Sequence, residues 1–243
     1  MSTLIRDYER FAKEANEICK GRVYTDHLRR YAYGVDASCY SYLPKVVVKA
    51  EDEREVRRLI RLCQQCGTPF TFRAAGSSLS GQCSSEDVLI VCNDGFKKME
   101  VIDDGKALKC ECGVIGSDAN DLLKPYNRKI GPDPATLATA LVGGILNNNS
   151  SGMCCGTAQN SYKTIRSIRV VLLDGSILDT SDQKSINQFL KEKPQMVEDI
   201  LQLRKDILAD EELTHLIHHK YKIKNTTGYG LNSLVDFEDI IDI

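Results

Sequence analysis

The apolar positions change their spacing several times along the chain, and each spacing predicts a different element. Val46, Val47 and Val48 form an unbroken apolar run behind Pro44-Lys45, which predicts a buried strand over residues 44–48. From Glu51 to Cys66 the spacing becomes helical. Val56, Leu59, Ile60 and Cys63 fall at i, i+3, i+4 and i+7 and line one face. Glu51, Asp52, Glu53 and Glu55 crowd the first turn, where the helix dipole favours acids, and Gly67 with Thr68-Pro69 ends it. Short apolar runs return at residues 70–72 and 88–91 and predict two more strands. A helix over residues 7–20 precedes these elements. It leads into a segment to residue 35 in which Tyr24, Arg29, Arg30, Tyr31 and Tyr33 read better as a packed aromatic arm than as ligand contacts.

Strand, helix and strand with about 20 residues between the strands make a β-α-β unit, parallel and right-handed by preference. Beyond it the pattern becomes antiparallel. Residues 99–102 and 107–112 flank Asp103-Asp104-Gly105, and residues 164–173 and 176–180 flank Asp174-Gly175. Asp-Gly turns accept positive φ and favour hairpins. A short helix is expected over residues 115–124, ended by Pro125, and residues 182–222 read as helical with Ile200, Leu203, Ile207 and Leu208 as the apolar stripe. The fold class is α+β with two α/β subdomains. An N-terminal helix and arm (1–40) precede a small β-α-β subdomain (41–95). A second subdomain (96–243) carries the antiparallel sheet and its flanking helices.

Composition narrows the picture. The chain has 243 residues, 42% hydrophobic and 27% charged, which suits a globular protein of one large domain or two small ones. A net charge of −2 leaves no general basic field for nucleic acid. Arg54, Arg57, Arg58 and Arg61 form a local basic run, but the acids interleaved with them point to a solvated helix face. No apolar run reaches about 18 residues, so no membrane span is expected. Residues 1–17 are charged and lack an apolar signal core, which points to the cytoplasm. Ten irregularly spaced cysteines fit that compartment as free thiols.

Candidate chemistry concentrates in two stretches. The first is Arg73-Ala74-Ala75-Gly76-Ser77-Ser78-Leu79-Ser80-Gly81-Gln82, which leaves the carboxyl end of a predicted strand, the place where ligand loops of such units sit. It holds small residues and hydroxyls and no acid. Consecutive backbone N–H groups in such a turn form an anion nest, so a phosphate or pyrophosphate loop competes here with a polar surface loop. No Gly-Lys-Ser/Thr follows and no Gly-x-Gly-x-x-Gly is present, so neither a Walker loop nor the dinucleotide fingerprint applies. The second runs from Ile130-Gly131-Pro132-Asp133-Pro134 through Gly143-Gly144 to Asn147-Asn148-Asn149-Ser150-Ser151-Gly152 and Cys154-Cys155-Gly156. It is long for a connecting loop, and long ordered loops tend to be functional. A third small, polar segment spans Lys224-Asn225-Thr226-Thr227-Gly228-Tyr229-Gly230-Leu231. His215, His218 and His219 have helical spacing but lack a matching carboxylate. Cys63-x-x-Cys66 and Cys110-x-Cys112 lack partner pairs and read as core thiols, so no metal site is assigned.

The first stretch, the second stretch from Pro132-Asp133-Pro134 to Asn149-Ser150-Ser151-Gly152, and Val170-Val171-Leu172-Leu173-Asp174-Gly175 together resemble the FAD-binding domain of FAD-linked oxidases, the PCMH-type or vanillyl-alcohol-oxidase fold. The D-lactate dehydrogenase and glycolate oxidase branch, with its long forms that carry an iron–sulfur module after the flavin part, is the nearest match. The resemblance covers residues 20–235.

It implies an FAD cleft between the two subdomains. Gly76, Ser77, Ser78, Leu79, Ser80, Gly81 and Gln82 are implied to wrap the pyrophosphate. Pro132, Asp133 and Pro134 are implied along the ribityl and flavin part, Thr139 as a further cofactor-binding residue, and Gly143, Gly144, Asn149, Ser151 and Gly152 as a second wall. Ile165 is implied to touch the adenosine part through its backbone. No histidine lies between His27 and His215, so neither loop offers one for a covalent flavin link and the FAD is expected to be non-covalent. The family's Gly-Ser-Glu-Gly-Thr-Leu-Gly motif, its substrate cap with the catalytic histidine and its iron–sulfur region have no counterpart here. The chain is therefore expected to be an N-terminal fragment with no catalytic residue of its own, FAD bound weakly or not at all, and any iron–sulfur cluster confined to a missing C-terminal region. The expected parent oxidises a small D-2-hydroxy acid by hydride transfer to FAD, with the electron acceptor open. A non-catalytic nucleotide-binding or assembly module is the alternative, and a redox-thiol or metal protein built on the cysteines a weaker one.

Overall fold

The computed structural model describes residues 6–225 and 229–243, so Thr226, Thr227 and Gly228 of the third polar segment lie outside the described residues. The chain divides into two compact units. One comprises residues 1–130, 134–147 and 173–176, the other residues 131–133, 148–172 and 177–243.

The first unit begins with α1 (Tyr8–Ile18), β1 (Val23–Tyr24) and α2 (His27–Ala32). The last two replace the irregular arm expected from sequence. The missed signal is Asp26, whose carboxylate accepts the Arg29 N–H at 3.0 Å and caps α2. The arm is packed in part, as read: Tyr24 stacks on Tyr33 at 6.3 Å and the Arg29 guanidinium lies 4.4 Å over the Tyr24 ring, whereas Tyr31 is 61% exposed.

Next come β2 (Val46–Lys49), α3 (Glu53–Gln65), β3 (Phe70–Arg73) and β4 (Val88–Val91), with sheet order β1-β2-β4-β3. The strands of the β-α-β unit are parallel, but β4 lies between them, pairing Val46 with Val88 on one side and Phe70 with Val88 on the other. Burial explains the order. All four residues of β4 are buried, whereas β3 exposes Phe72, so the continuous apolar run takes the centre and the mixed strand the edge. α3 buries Val56, Leu59, Ile60, Leu62 and Cys63 and packs against α1.

The basic run on α3 is solvated as expected at Arg54, Arg58 and Arg61, which are exposed, and Arg57 is the exception. Arg57 Nε donates to the Gly175 carbonyl at 2.7 Å and Gln64 donates to the Leu173 carbonyl at 2.6 Å. The helix grips the Asp174-Gly175 turn because those carbonyls have no ladder partner at a hairpin tip.

β5 (Met99–Ile102) and β6 (Ala107–Cys110) pair antiparallel as expected, followed by α4 (Gly116–Leu123) and a 3-10 turn at Lys124–Tyr126 that accommodates Pro125. Val114, Ala119 and Val142 form a small core with Met99, Leu108, Cys110 and Ile130 around it. Gly143-Gly144, expected in a loop, lies inside α5 (Val142–Asn147), where buried Val142 and Ile145 anchor a short helix despite its glycines.

The second unit holds α6 (Ser161–Thr164), the hairpin β7 (Arg169–Val171) with β8 (Ile177–Asp179), then α7 (Gln183–Glu192), α8 (Pro194–Ala209), α9 (Glu211–Lys220) and α10 (Ser233–Asp236). The hairpin begins at Arg169 instead of Thr164 because Asn160 accepts the Lys163 N–H and caps a helical turn. The helical region breaks at Pro194, which suits a first helical position, and at Asp210, which caps α9 through the Leu213 N–H at 2.9 Å. Its core joins Ile207, Ile217 and Leu234 with Ile200 and Val235 beside them. Leu203 and Leu208, expected in the same stripe, are 48% and 38% exposed. His218, His219 and Lys220 occupy the last turn of α9, where the dipole favours cations.

Candidate functional site

The first candidate loop leaves β3 at the carboxyl ends of the parallel strands, at the position that β-α-β geometry assigns to ligand loops. Gly76 and Gly81 take φ of +76° and +74°, the left-handed region where other residues are strained. Ser77 lies between them in irregular backbone, and Leu79 is 79% exposed. The amides of Gly76, Ser77 and Leu79 enter no hydrogen bond within the protein among the described residues. The Ser78 hydroxyl is used within the loop: its Oγ donates to Gln82 Oε1 at 2.7 Å and accepts the Ser80 N–H at 3.1 Å. The loop is therefore braced from within by Ser78 and Gln82, and the amides of Gly76, Ser77 and Leu79 stay outside that bracing.

A segment that the sequence did not single out for the site lies along this loop. The Ala37 N–H donates to the Gly76 carbonyl at 3.1 Å. The Cys83 thiol donates to Asp36 Oδ2 at 3.2 Å, and the Tyr40 ring borders Gly81. Arg73 donates through Nη1 to the carbonyls of Tyr33 at 3.1 Å and Val35 at 2.8 Å. Two features carried a signal in the sequence: the aromatic arm itself and Gly34, where an added Cβ would sit 2.5 Å from the Tyr42 carbonyl.

α5 joins the same region. A Cβ on Gly144 would meet Ala74, the first residue after β3, at ordinary contact of 3.4 Å. Gly143 faces elsewhere: its N–H donates to the Cys112 carbonyl at 2.9 Å, and a Cβ there would lie 2.7 Å from Cys112 Cβ. Glycine at 143 thus serves helix-to-loop packing. Pro134 starts a tight turn by accepting the Leu137 N–H at 2.9 Å, and Thr139 closes it, its hydroxyl donating to the Thr136 carbonyl at 3.2 Å.

In the second unit, Pro132 is buried and Asp133 accepts the amides of Cys154 and Cys155, both at 3.1 Å. Hydrogen bonding from the Cys155 side chain, then from the Cys155 and Cys154 amides, pulls the Asp133 carboxyl down to about 2. Gly152 lies so close that a Cβ would sit 1.8 Å from the Asp133 carbonyl oxygen. Asn149, at φ +42°, accepts the Tyr162 N–H through Oδ1 at 3.0 Å and so holds the start of α6. Ser151 is buried, and its carbonyl accepts a hydrogen bond from Lys224 Nζ at 3.4 Å. Ile165 ends α6 in extended backbone and is 42% exposed. Asp133, Asn149 and Gly152 are thus committed to contacts inside the unit.

A flavin dinucleotide fits the first loop on chemical grounds. A dianionic pyrophosphate needs backbone donors, close approach and no competing acid, and residues 73–82 supply all three.

Comparison with known proteins agrees. A family model described as FAD binding domain matches residues 44–181, more than half of the chain. The D-2-hydroxyglutarate dehydrogenase of Escherichia coli (strain K12) is 28% identical over 164 residues, 66% of this chain and 16% of that protein. The glycolate oxidase subunit GlcD of Bacillus subtilis (strain 168) is 26% identical over 157 residues, 62% of this chain and 33% of that protein. The chain therefore spans between about a sixth and a third of these relatives' lengths. Among solved structures, alkyldihydroxyacetonephosphate synthase superposes with a TM-score of 0.60 at 20% identity, covering 74% of this chain and 35% of that one. That likeness shows the fold, the α+β PCMH type expected from the motifs.

Proposed function

The chain belongs to the FAD binding domain family, and on that basis we propose that it is the cofactor-holding part of a flavin-dependent oxidoreductase acting on a small D-2-hydroxy acid of the lactate or glycolate kind. The observation that carries this reading is the loop after β3, with its left-handed glycines, its amides outside internal bonding and its lack of acids. The relatives' names, a D-2-hydroxyglutarate dehydrogenase and a glycolate oxidase subunit, support the substrate class.

Gly76, Ser77, Ser78, Leu79, Ser80, Gly81 and Gln82 hold the pyrophosphate in this reading, chiefly through backbone N–H groups. Pro132, Asp133 and Pro134 serve the ribityl and flavin part, with Thr139 as a further cofactor-binding residue. Gly143, Gly144, Asn149, Ser151 and Gly152 serve as the second wall, and the Ile165 backbone serves the adenosine part. Bound FAD supplies an acceptor for the hydride of the substrate's hydroxyl-bearing carbon, and the protein's share is to bind and orient it. The absence of histidine from both loops supports non-covalent binding. Free thiols at all ten cysteines support a reducing compartment such as the cytoplasm. Among the described residues no helix is long and apolar enough to cross a membrane.

The test is a titration of the 243-residue chain with FAD, followed by flavin fluorescence. Saturable one-to-one uptake, reversed by denaturation, is what this reading predicts, in place of the weak or absent binding expected from the sequence, because the loop after β3 has left-handed glycines and no acid; a chain that takes up no FAD ends the reading. The hydroxy-acid half is tested by exchanging residues 44–181 into the matched segment of the Bacillus subtilis glycolate oxidase subunit. A chimaera that loads FAD but is not bleached by glycolate would leave only the cofactor-holding role.

A further inference from the structure

Arg73 opens the cofactor loop, and a cation beside an anion nest invites assignment as a phosphate ligand. Its contacts argue against that role. Both hydrogen bonds from Nη1 run to carbonyls of the arm, Tyr33 at 3.1 Å and Val35 at 2.8 Å, and the guanidinium lies 5.8 Å over the Tyr33 ring. It also fills the space beside Gly76, where an added Cβ would meet Nη2 at 2.3 Å. The arm is itself a small turned segment, with Val35 bridged antiparallel to Ser41 and the Tyr42 N–H donating to the Gly34 carbonyl at 2.8 Å. It meets the loop at three further points: Ala37 on the Gly76 carbonyl, Asp36 on Cys83, and Tyr40 against Gly81. Both left-handed glycines of the loop are thus held from the arm side.

Resting on the cofactor-holding reading above, we propose that residues 33–40 are a clamp that sets the conformation of the cofactor loop, and that Arg73 is its positioning residue and not a phosphate ligand. Nη1 reaches both carbonyls while the guanidinium lies over the Tyr33 ring and Nη2 sits beside Gly76; a lysine ammonium on its flexible stem does not reproduce that planar arrangement. The clamp fixes the loop before the anion arrives, so less ordering is left for the binding step.

The experiment compares Arg73→Lys, Arg73→Gln and Asp36→Ala in the full chain. Amide hydrogen exchange is read at the bonded amides of clamp and loop, Ala37 on the Gly76 carbonyl and Ser80 on the Ser78 hydroxyl, FAD affinity by fluorescence at several salt concentrations, and thermal unfolding as the control. Expected are at least a tenfold rise in exchange confined to these amides, about tenfold weaker FAD binding in all three variants, no rescue by lysine, and a salt dependence equal to wild type. Loss of affinity with unchanged loop exchange and a flatter salt dependence would make Arg73 a phosphate ligand and overturn the proposal. Raised exchange with unchanged affinity would overturn it as well. A wild-type chain that binds no FAD would instead end the cofactor reading, while the exchange measurement still decides whether the arm clamps the loop. Should Arg73→Gln unfold, Asp36→Ala carries the same comparison from the other side of the clamp.

Discussion

Gly76 and Gly81 in the first stretch and Gly143 and Gly152 in the second are all positions where a side chain meets an obstacle, but the obstacles differ in kind. Around Gly76 and Gly81 they are side chains, the Arg73 guanidinium and the Tyr40 ring, and the backbone is left-handed. At Gly152 the obstacle is the Asp133 carbonyl at 1.8 Å, and at Gly143 it is Cys112, including its carbonyl. The polar groups divide the same way. The first loop keeps the amides of Gly76, Ser77 and Leu79 outside internal bonding, whereas Asp133 and Asn149 in the second stretch bond backbone amides of their own unit. Similar compositions therefore serve opposite ends. One stretch leaves amides outside internal bonding, and the other uses its polar groups to hold itself together.

Gly152→Ala puts this contrast under the greatest load. A backbone carbonyl cannot swing aside, so a loss of roughly 2–3 kcal/mol is expected, read from the denaturant midpoint. An unchanged midpoint would mean that the second stretch is not internally committed. Gly76→Ala should act differently. The unliganded loop can relax out of left-handed strain of about 1–2 kcal/mol by changing its conformation, so the cost falls on the FAD-competent form as about tenfold weaker binding, with a smaller change in unfolding. A stability loss equal to that of Gly152→Ala would erase the distinction.

Asp133 gives a pH test of smaller size, because solvent screens a partly exposed carboxylate. Its folded-state pKa lies below the ordinary 3.8, at about 2. Its contribution is therefore fully present above the ordinary value and is lost as pH falls from about 4 through about 2. Asp133→Asn should flatten acid unfolding in that window. An unaltered acid limb would show that the carboxylate is not what the Cys154 and Cys155 amides hold. The smallest effect belongs to Gly156→Ala, at φ +53° with nothing within 4 Å of an added Cβ. Only backbone strain remains, and a shift below that of Gly152→Ala is expected.

Much of this was legible from the chain. Val88, Leu89, Ile90 and Val91 announced a buried strand by continuity, and the acidic first turn with Gly67 bounded α3 closely (Glu53–Gln65 against 51–66). The first loop was legible because its position after a strand and its lack of acids are both local facts. Asp26 and Asn160 are short-range caps that a closer reading of the sequence would have found. Other features had no local signal. That Leu203 stays outside the Ile207, Ile217 and Leu234 core depends on which neighbours arrive, and an apolar stripe records only that some neighbour does.

Residue order alone was enough for strands β2 to β6, the main helices, the acid-free small-residue loop and the family resemblance. These follow from periodicity, caps and small-residue runs, which act over a few residues. The assembled fold was needed to place β4 between β2 and β3, to bring Arg57 and Gln64 onto the turn at 173–176, and to lay residues 33–40 along the loop. Each of these joins groups distant in the chain, so each is chosen by burial and by the need to satisfy backbone polar groups once the elements pack. For the same reason residues 73–82 could be read as a source of donors from their order alone, but not the turning of Arg73's own donors toward the arm.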